Sequence, residues 1–205
     1  ATELTIGVGR DSRVSGPALA DGLIAGMVSA GAKVVDCGMA TTPAMFMSIV
    51  FAETAFQGSA MITASHLPFN RNGLKFFTND GGLEKGDITA ILEIAQEGCF
   101  DKAAGGSVSE LSFIDIYAAD LAEKIRKATG ENKPLAGFKI VVDAGNGAGG
   151  YCNADASGGI PADRGGGALL GRWKQFDPER GSGQSGLDPH RPYTAQRTDP
   201  PCGDP

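Results

Sequence analysis

A serine, a histidine and a lysine share one short stretch of this 205-residue chain, Thr63-Ala64-Ser65-His66-Leu67-Pro68-Phe69-Asn70-Arg71-Asn72-Gly73-Leu74-Lys75. Ser65 offers a hydroxyl, His66 an imidazole of the type that changes charge near neutral pH, and Lys75 a compact cation. Either nitrogen could move the proton of an attacking hydroxyl. The apolar run Ala60-Met61-Ile62 just before them reads as the end of a buried strand. Pro68, Asn70, Asn72 and Gly73 then turn the chain into a second apolar segment at Phe76-Phe77. Gly73 is expected to take a backbone conformation that a residue with Cβ resists. Two plainer readings stand beside a reactive loop. One is a polar turn with Ser65 and His66 merely solvated. The other is a serine hydrolase built on the same pair. Adjacent residues in an extended segment point to opposite sides, so that pair is expected not to meet.

The whole stretch resembles the phosphoserine loop of the alpha-D-phosphohexomutases, which reads T-A-S-H-N-P, a short spacer, then N-G-x-K. The departure is Leu67, where that family usually has asparagine. The resemblance implies that Ser65 carries a transferable phosphoryl group, which holds roughly two negative charges near neutral pH. Phosphoryl transfer depends on positioning and charge neutralisation. Lys75 would supply a positive charge and His66 a donor.

A second segment, Gly9-Arg10-Asp11-Ser12-Arg13-Val14-Ser15-Gly16-Pro17, is similar to the V-G-x-D-x-R-x-S signature of the same family. Arg10, Asp11 and Arg13 are expected to brace the loop rather than to do chemistry. Locally, Ser15 reads as a helix cap, Pro17 as a first-turn residue and Gly31 as the stop. Leu19, Leu23 and Met27 would form the apolar face between them. A third segment, Phe138-Lys139-Ile140-Val141-Val142-Asp143-Ala144-Gly145-Asn146-Gly147, resembles the D-x-G-N-G strand that opens the family's second domain. Gly145, Gly147 and Gly150 also spell the dinucleotide-binding fingerprint. The helix that the fingerprint requires does not follow, because Gly158, Gly159 and Pro161 interrupt the next stretch.

Strand-like and helix-like segments alternate up to Gly150. Strands are expected at 4–8, 33–37, 59–63 and 74–77. Helices are expected at 17–30, at 42–51 with Thr42 as cap and Pro43 behind it, and at 87–97 with Asp87 as cap. A last helix follows a Ser112/Asp115 capping box, shows Tyr117, Leu121 and Ile125 on one face, and stops before Pro134. This alternation implies an α/β fold: a mixed, mostly parallel sheet with helices on both faces.

The expected organisation is a first domain over 1–133, the opening strand of a second over 134–150, and a tail over 151–205. The tail lacks valine and holds most of the chain's 11 prolines. Such a composition cannot bury enough apolar surface to order itself. It reads as disordered, or as translated out of frame or from a wrongly assigned exon.

Other function classes are disfavoured. The formal charge of −6 and the lack of a basic cluster argue against nucleic acid as a partner. No stretch is apolar for the roughly 20 residues that cross a bilayer. Ala1-Thr2-Glu3 shows no signal-sequence pattern. Cys37, Cys99, Cys152 and Cys202 have no paired metal spacing and read as free thiols.

The resemblance implies an intramolecular phosphotransferase acting on a hexose phosphate of glucose or mannose, activated by the hexose 1,6-bisphosphate. It also implies Mg²⁺, with Ser65 as one ligand. The family's D-x-D-x-D-R metal loop does not occur in this sequence, so the chain alone is expected to be inactive. The wording H-L-P resembles a plant or algal branch, which points to cytoplasm or plastid stroma without deciding between them. The rival is a non-catalytic sugar-phosphate binding protein, favoured by Leu67, which lacks the donors and acceptor of asparagine.

Overall fold

The computed structural model describes residues 4–136, Phe69, Cys99 and Asp101 excepted, together with Ala148. The expected second-domain strand and the tail over 151–205 lie outside the described residues.

Strands β1 (Thr5–Arg10), β2 (Lys33–Met39), β3 (Gly58–Ile62), β4 (Leu74–Thr78), β5 (Gly81–Gly82) and β6 (Ser107–Glu110) form one sheet, interleaved with helices α1 (Gly16–Ser29), α2 (Thr42–Val50), α3 (Lys85–Glu97) and α4 (Phe113–Thr129). The spatial order is β5-β4-β3-β1-β2-β6. β1 runs parallel to β2 and β3, and β2 parallel to β6; β4 is antiparallel to β3 and β5. The expected mixed, mostly parallel sheet is what forms. The short edge strands β5 and β6 carry no apolar pattern that would have marked them.

Alternation along the strands builds two cores. Val8, Val34, Ala60 and Ile62 meet Ala20 and Ile24 of α1 on one face. Val35, Cys37 and Met61 meet Ala44 and Met45 of α2 and Phe113 and Ile114 of α4 on the other. Helices therefore cover both faces, while α3 buries no residue in either core.

The buried helix faces are those expected only in part: Leu23 and Met27 of α1 and Tyr117 of α4 pack half-buried against the cores, but the faces are centred elsewhere. α1 turns Gly16, Ala20 and Ile24 inward and leaves Leu19 39% exposed. α4 buries Phe113, Ile114 and Ala122, while Leu121 and Ile125 stay exposed. Small residues let a helix lie close to the sheet, and the longer side chains then flank the contact.

The caps are also displaced. Thr41, not Thr42, accepts the Ala44 N–H with its hydroxyl at 3.3 Å, which puts Pro43 in the first turn, where its missing N–H costs nothing. Asp87 sits in the first turn of α3 and accepts the Glu84 N–H at 2.9 Å. Ser112 makes no side-chain cap, so the expected box with Asp115 does not close. Gly31 does end α1, at φ 89°.

Cys37 is buried and free. Burial first, and the Asp36 carboxylate second, push its thiol from an ordinary 9.0 up to about 12. An unfolded chain ionises this thiol first. The contribution of Cys37 to stability is therefore present below pH 9.0 and lost as pH rises towards about 12. Folded protein at pH 8 should leave Cys37 unalkylated by iodoacetamide, and denatured protein should react fully; equal labelling would contradict this burial. Gly106 packs against the backbone of Val28, where an added Cβ would strike the carbonyl oxygen. Backbone cannot give way there, so Gly106→Ala should cost about 1–3 kcal/mol. A denaturation midpoint equal to wild type would show that this contact is not close.

Candidate functional site

The site lies where the strand order reverses. β1 leads away through α1 to β2 on one side, while β3, on its other side, leads into β4. The carboxyl ends of β1 and β3 are neighbours, with Arg10 paired to Ile62 and the Asp11 N–H donating to the Ile62 carbonyl at 3.1 Å. Ligands of open α/β sheets bind in the crevice at such a switch point. Two loops far apart in sequence meet there, one after β1 and one between β3 and β4.

Arg13 joins them. Its Nε donates to Asp11 Oδ2 at 3.0 Å. Nη1 donates to the carbonyls of Pro68 and Arg71 at 2.7 and 3.0 Å, and Nη2 to those of Ser65 and Leu67 at 3.0 and 2.9 Å. A guanidinium has five N–H bonds, and this set uses all of them. The Arg13 side chain is only 11% exposed, with Asp11 balancing its charge. Asp11 Oδ2 also accepts the Thr63 hydroxyl at 2.7 Å, and Thr63 Oγ1 accepts the Ser65 N–H at 3.0 Å. Asp11 and Arg13 thus brace the loop as expected. The Arg10 carbonyl accepts instead from the Ala40 N–H just past β2, so the expected brace rests on Asp11 and Arg13.

Ser15 has a different task from the one its position suggests. Its Oγ accepts from Asn72 Nδ2 at 3.0 Å and makes no cap to α1. Asn72 Oδ1 in turn accepts the Gly73 N–H at 2.9 Å. Gly73 is needed for room rather than for backbone freedom, because an added Cβ would lie 3.2 Å from the Thr63 carbonyl oxygen. Ser65 is the loop residue in the left-handed region, at φ 54°.

That conformation corrects the expectation for Ser65 and His66. The pair is not extended, and Ser65 Oγ lies 3.0 Å from His66 Nδ1. Both residues are exposed. Lys75 stands in β4 opposite Met61, on the same hairpin, and is exposed. Among the described residues it makes no ion pair and no hydrogen bond to Ser65 or His66. The structure therefore brings two of the three expected residues together and holds the third on the neighbouring strand. Thr63 and Asn72 are the site residues that side-chain chemistry did not flag; their signal was only their place within the motif.

Among the described residues no three His, Cys, Asp or Glu side chains cluster as metal ligands. Mg²⁺ requires near-octahedral oxygen coordination, and Ser65 offers one oxygen. The described residues do not fit that cation by themselves.

These features define an α/β domain that presents one serine hydroxyl, beside a histidine, at the switch point of its sheet. Residues 1–101 match the family model described as "Phosphoglucomutase/phosphomannomutase, alpha/beta/alpha domain I". The phosphoglucosamine mutase of Symbiobacterium thermophilum is 36% identical over 141 residues, covering 69% of this chain and 31% of that protein. The phosphomannomutase/phosphoglucomutase of Pseudomonas aeruginosa is 36% identical over 151 residues, covering 72% and 30%. A crystal structure of a phosphoglucomutase/phosphomannomutase family protein from Burkholderia thailandensis superimposes with a TM-score of 0.58 at 28% identity, covering 72% of this chain and 32% of that one. The chain belongs to the alpha-D-phosphohexomutase family. It spans less than a third of the length of each of these relatives.

Arg13→Lys tests the brace. Lysine has three donors and no planar fork, so at least two of the five acceptors, and at least one loop carbonyl, lose their partner. Each such bond to a charged group is worth about 1.5–3 kcal/mol. The variant should be cut by trypsin after Arg71 much faster than wild type, with helix content unchanged by circular dichroism. Equal cleavage rates would mean that the loop holds its shape without Arg13.

Proposed function

We propose that the complete protein carrying this domain is a phosphosugar mutase that interconverts the 1-phosphate and 6-phosphate of a hexose through a phosphoryl group on Ser65. The observation that carries this reading is Ser65 itself, with an exposed hydroxyl on a pinned left-handed backbone, 3.0 Å from His66 Nδ1. In the first half-reaction a sugar hydroxyl oxygen attacks the phosphorus on Ser65. The new O–P bond forms as the P–Oγ bond breaks, and the hydroxyl proton passes to a base. In the second, Ser65 Oγ attacks the other phosphoryl group of the bisphosphate, and the new P–Oγ bond forms as the bond from phosphorus to the sugar oxygen breaks. His66 takes the proton that Oγ loses, and the sugar oxygen leaves as a hydroxyl after gaining a proton. Hexose 1,6-bisphosphate then acts as activator, since it can load an empty serine.

Arg13 has no N–H left for a phosphate, so the charge of the phosphoryl group falls to other cations. Lys75 is the candidate for that work. Glucose and mannose are the sugars proposed, and the name of the Symbiobacterium relative adds glucosamine. The non-catalytic alternative rested on Leu67. The loop uses that residue through its backbone, with its N–H donating to Ala64 and its carbonyl accepting from Arg13. Any side chain there other than proline leaves those two bonds intact, so leucine does not keep the loop from taking the shape that presents Ser65.

Incubating the complete protein with glucose 1,6-bisphosphate should give one phosphate per chain, mapped by tandem mass spectrometry to Ser65. A phosphate on Thr63 or Thr78, with Ser65→Ala fully active, would sink the assignment. Lys75→Met should lower kcat by at least about a hundredfold, the scale of losing one electrostatic stabiliser. A rate near wild type would make Lys75 structural.

A further inference from the structure

Resting on the reading of Ser65 as the phosphoryl carrier, we propose that Thr63 is a positioning residue for the transfer step: its hydroxyl holds the backbone of Ser65 in the conformation that presents Oγ. Thr63 is 7% exposed and sits just past the end of β3. Its hydroxyl has one proton, and an ionised carboxylate can only accept, so Thr63 donates to Asp11 Oδ2. The oxygen is then free to receive the Ser65 N–H. The direction of the relay is fixed by the charge of Asp11.

The other side of Ser65 is held as firmly, because its carbonyl accepts from Arg13 Nη2. Both peptide groups that define the Ser65 backbone are therefore anchored to the loop after β1. A left-handed non-glycine residue is disfavoured because its Cβ crowds the following carbonyl oxygen. It persists only where its surroundings over-determine it. Without the Thr63 hydroxyl, one of the two anchors is lost and the Ser65 N–H has no acceptor. Relaxation of φ would swing Oγ away from His66 and from the line of attack. A shift of about 1 Å at a reacting atom can cost about a hundredfold in rate. Thr63 is buried behind the loop, so its effect reaches the reaction through Ser65.

Thr63→Val keeps the shape and removes the hydroxyl, whereas Thr63→Ser keeps the hydroxyl and removes the methyl. In the complete protein, Thr63→Val should lower kcat by about 10- to 100-fold with KM within about twofold. Thr63→Ser should return kcat to within about threefold of wild type. In the 205-residue chain, hydrogen exchange at the Ser65 amide should quicken at least about tenfold in Thr63→Val, with the β3 amides unchanged. Should the valine variant fail to fold, Thr63→Cys, similar in size and much weaker in hydrogen bonding, takes its place in both measurements. A hydroxyl-free variant with wild-type kcat overturns the proposal, as does a serine variant no faster than valine, or unchanged exchange at Ser65. If wild-type protein neither phosphorylates Ser65 nor turns over, the mutase reading fails instead, and the exchange measurement still decides whether Thr63 holds Ser65.

Discussion

The fully engaged guanidinium of Arg13 is the constraint on which the site depends. A buried cation is costly unless it is paired and its donors are satisfied. Here the carboxylate of Asp11 supplies the charge, and four loop carbonyls take the remaining N–H bonds. Those carbonyls come from residues 52 to 58 positions away, so the contact ties together two distant parts of the sequence. It is possible only because β1 and β3 are parallel neighbours whose carboxyl ends emerge side by side. Lysine could not do the same, since a point charge cannot satisfy a planar ring of acceptors. The topology of the sheet and the conformation of the loop are thus one problem with one solution.

This arrangement separates the cations by task. Arg13 is inside the loop and has nothing left to offer an incoming anion. Arg71 and Lys75 are outside it, exposed, and without an ion pair among the described residues. A dianionic group on Ser65 would meet the second kind of charge, in a crevice where the sheet's strand order already turns loops towards a ligand. Ser65 is strained and exposed, while the residues that hold it are shielded. Strain of this sort at a reactive position needs support from around it, and Asp11, Arg13 and Thr63 give that support.

Much of the fold was legible because it follows from simple patterns. The apolar runs at 33–37 and 60–62 marked β2 and β3, and Gly31 marked the end of α1. The offset faces of α1 and α4 were not legible, because they depend on how closely Ala20 and Ala122 let each helix approach. Periodicity gives the existence of a face more securely than its centre. β5 and β6 escaped because an exposed edge strand needs no alternation. In the site, the residue types and their family resemblance were readable, but the backbone of Ser65 was not. Its left-handed conformation is imposed from the β1 loop, and a local reading that assumed an extended chain separated Ser65 from His66 wrongly. Gly73 failed in the opposite sense: the freedom assigned to it belongs to Ser65, and its own role is close approach to Thr63.

The way the loop is held also says which of its side chains the geometry leaves free. Arg13 reads Ser65, Leu67, Pro68 and Arg71 through their carbonyls, which every residue type possesses. Side-chain identity matters for the loop's shape at Asp11, Arg13, Thr63, Asn72 and Gly73, each of which bonds or fits in a way a substitute would lose. Leu67 belongs to the first group, and its side chain is 58% exposed. Leucine in place of asparagine therefore changes what the crevice offers a ligand and not how the loop is built. A hydrogen-bonding amide gives way to an apolar surface beside Ser65. An apolar side chain at this position gives a bound molecule no hydrogen bond to replace those of the amide, so its effect falls on what the surface beside Ser65 can hold rather than on the loop that presents Ser65.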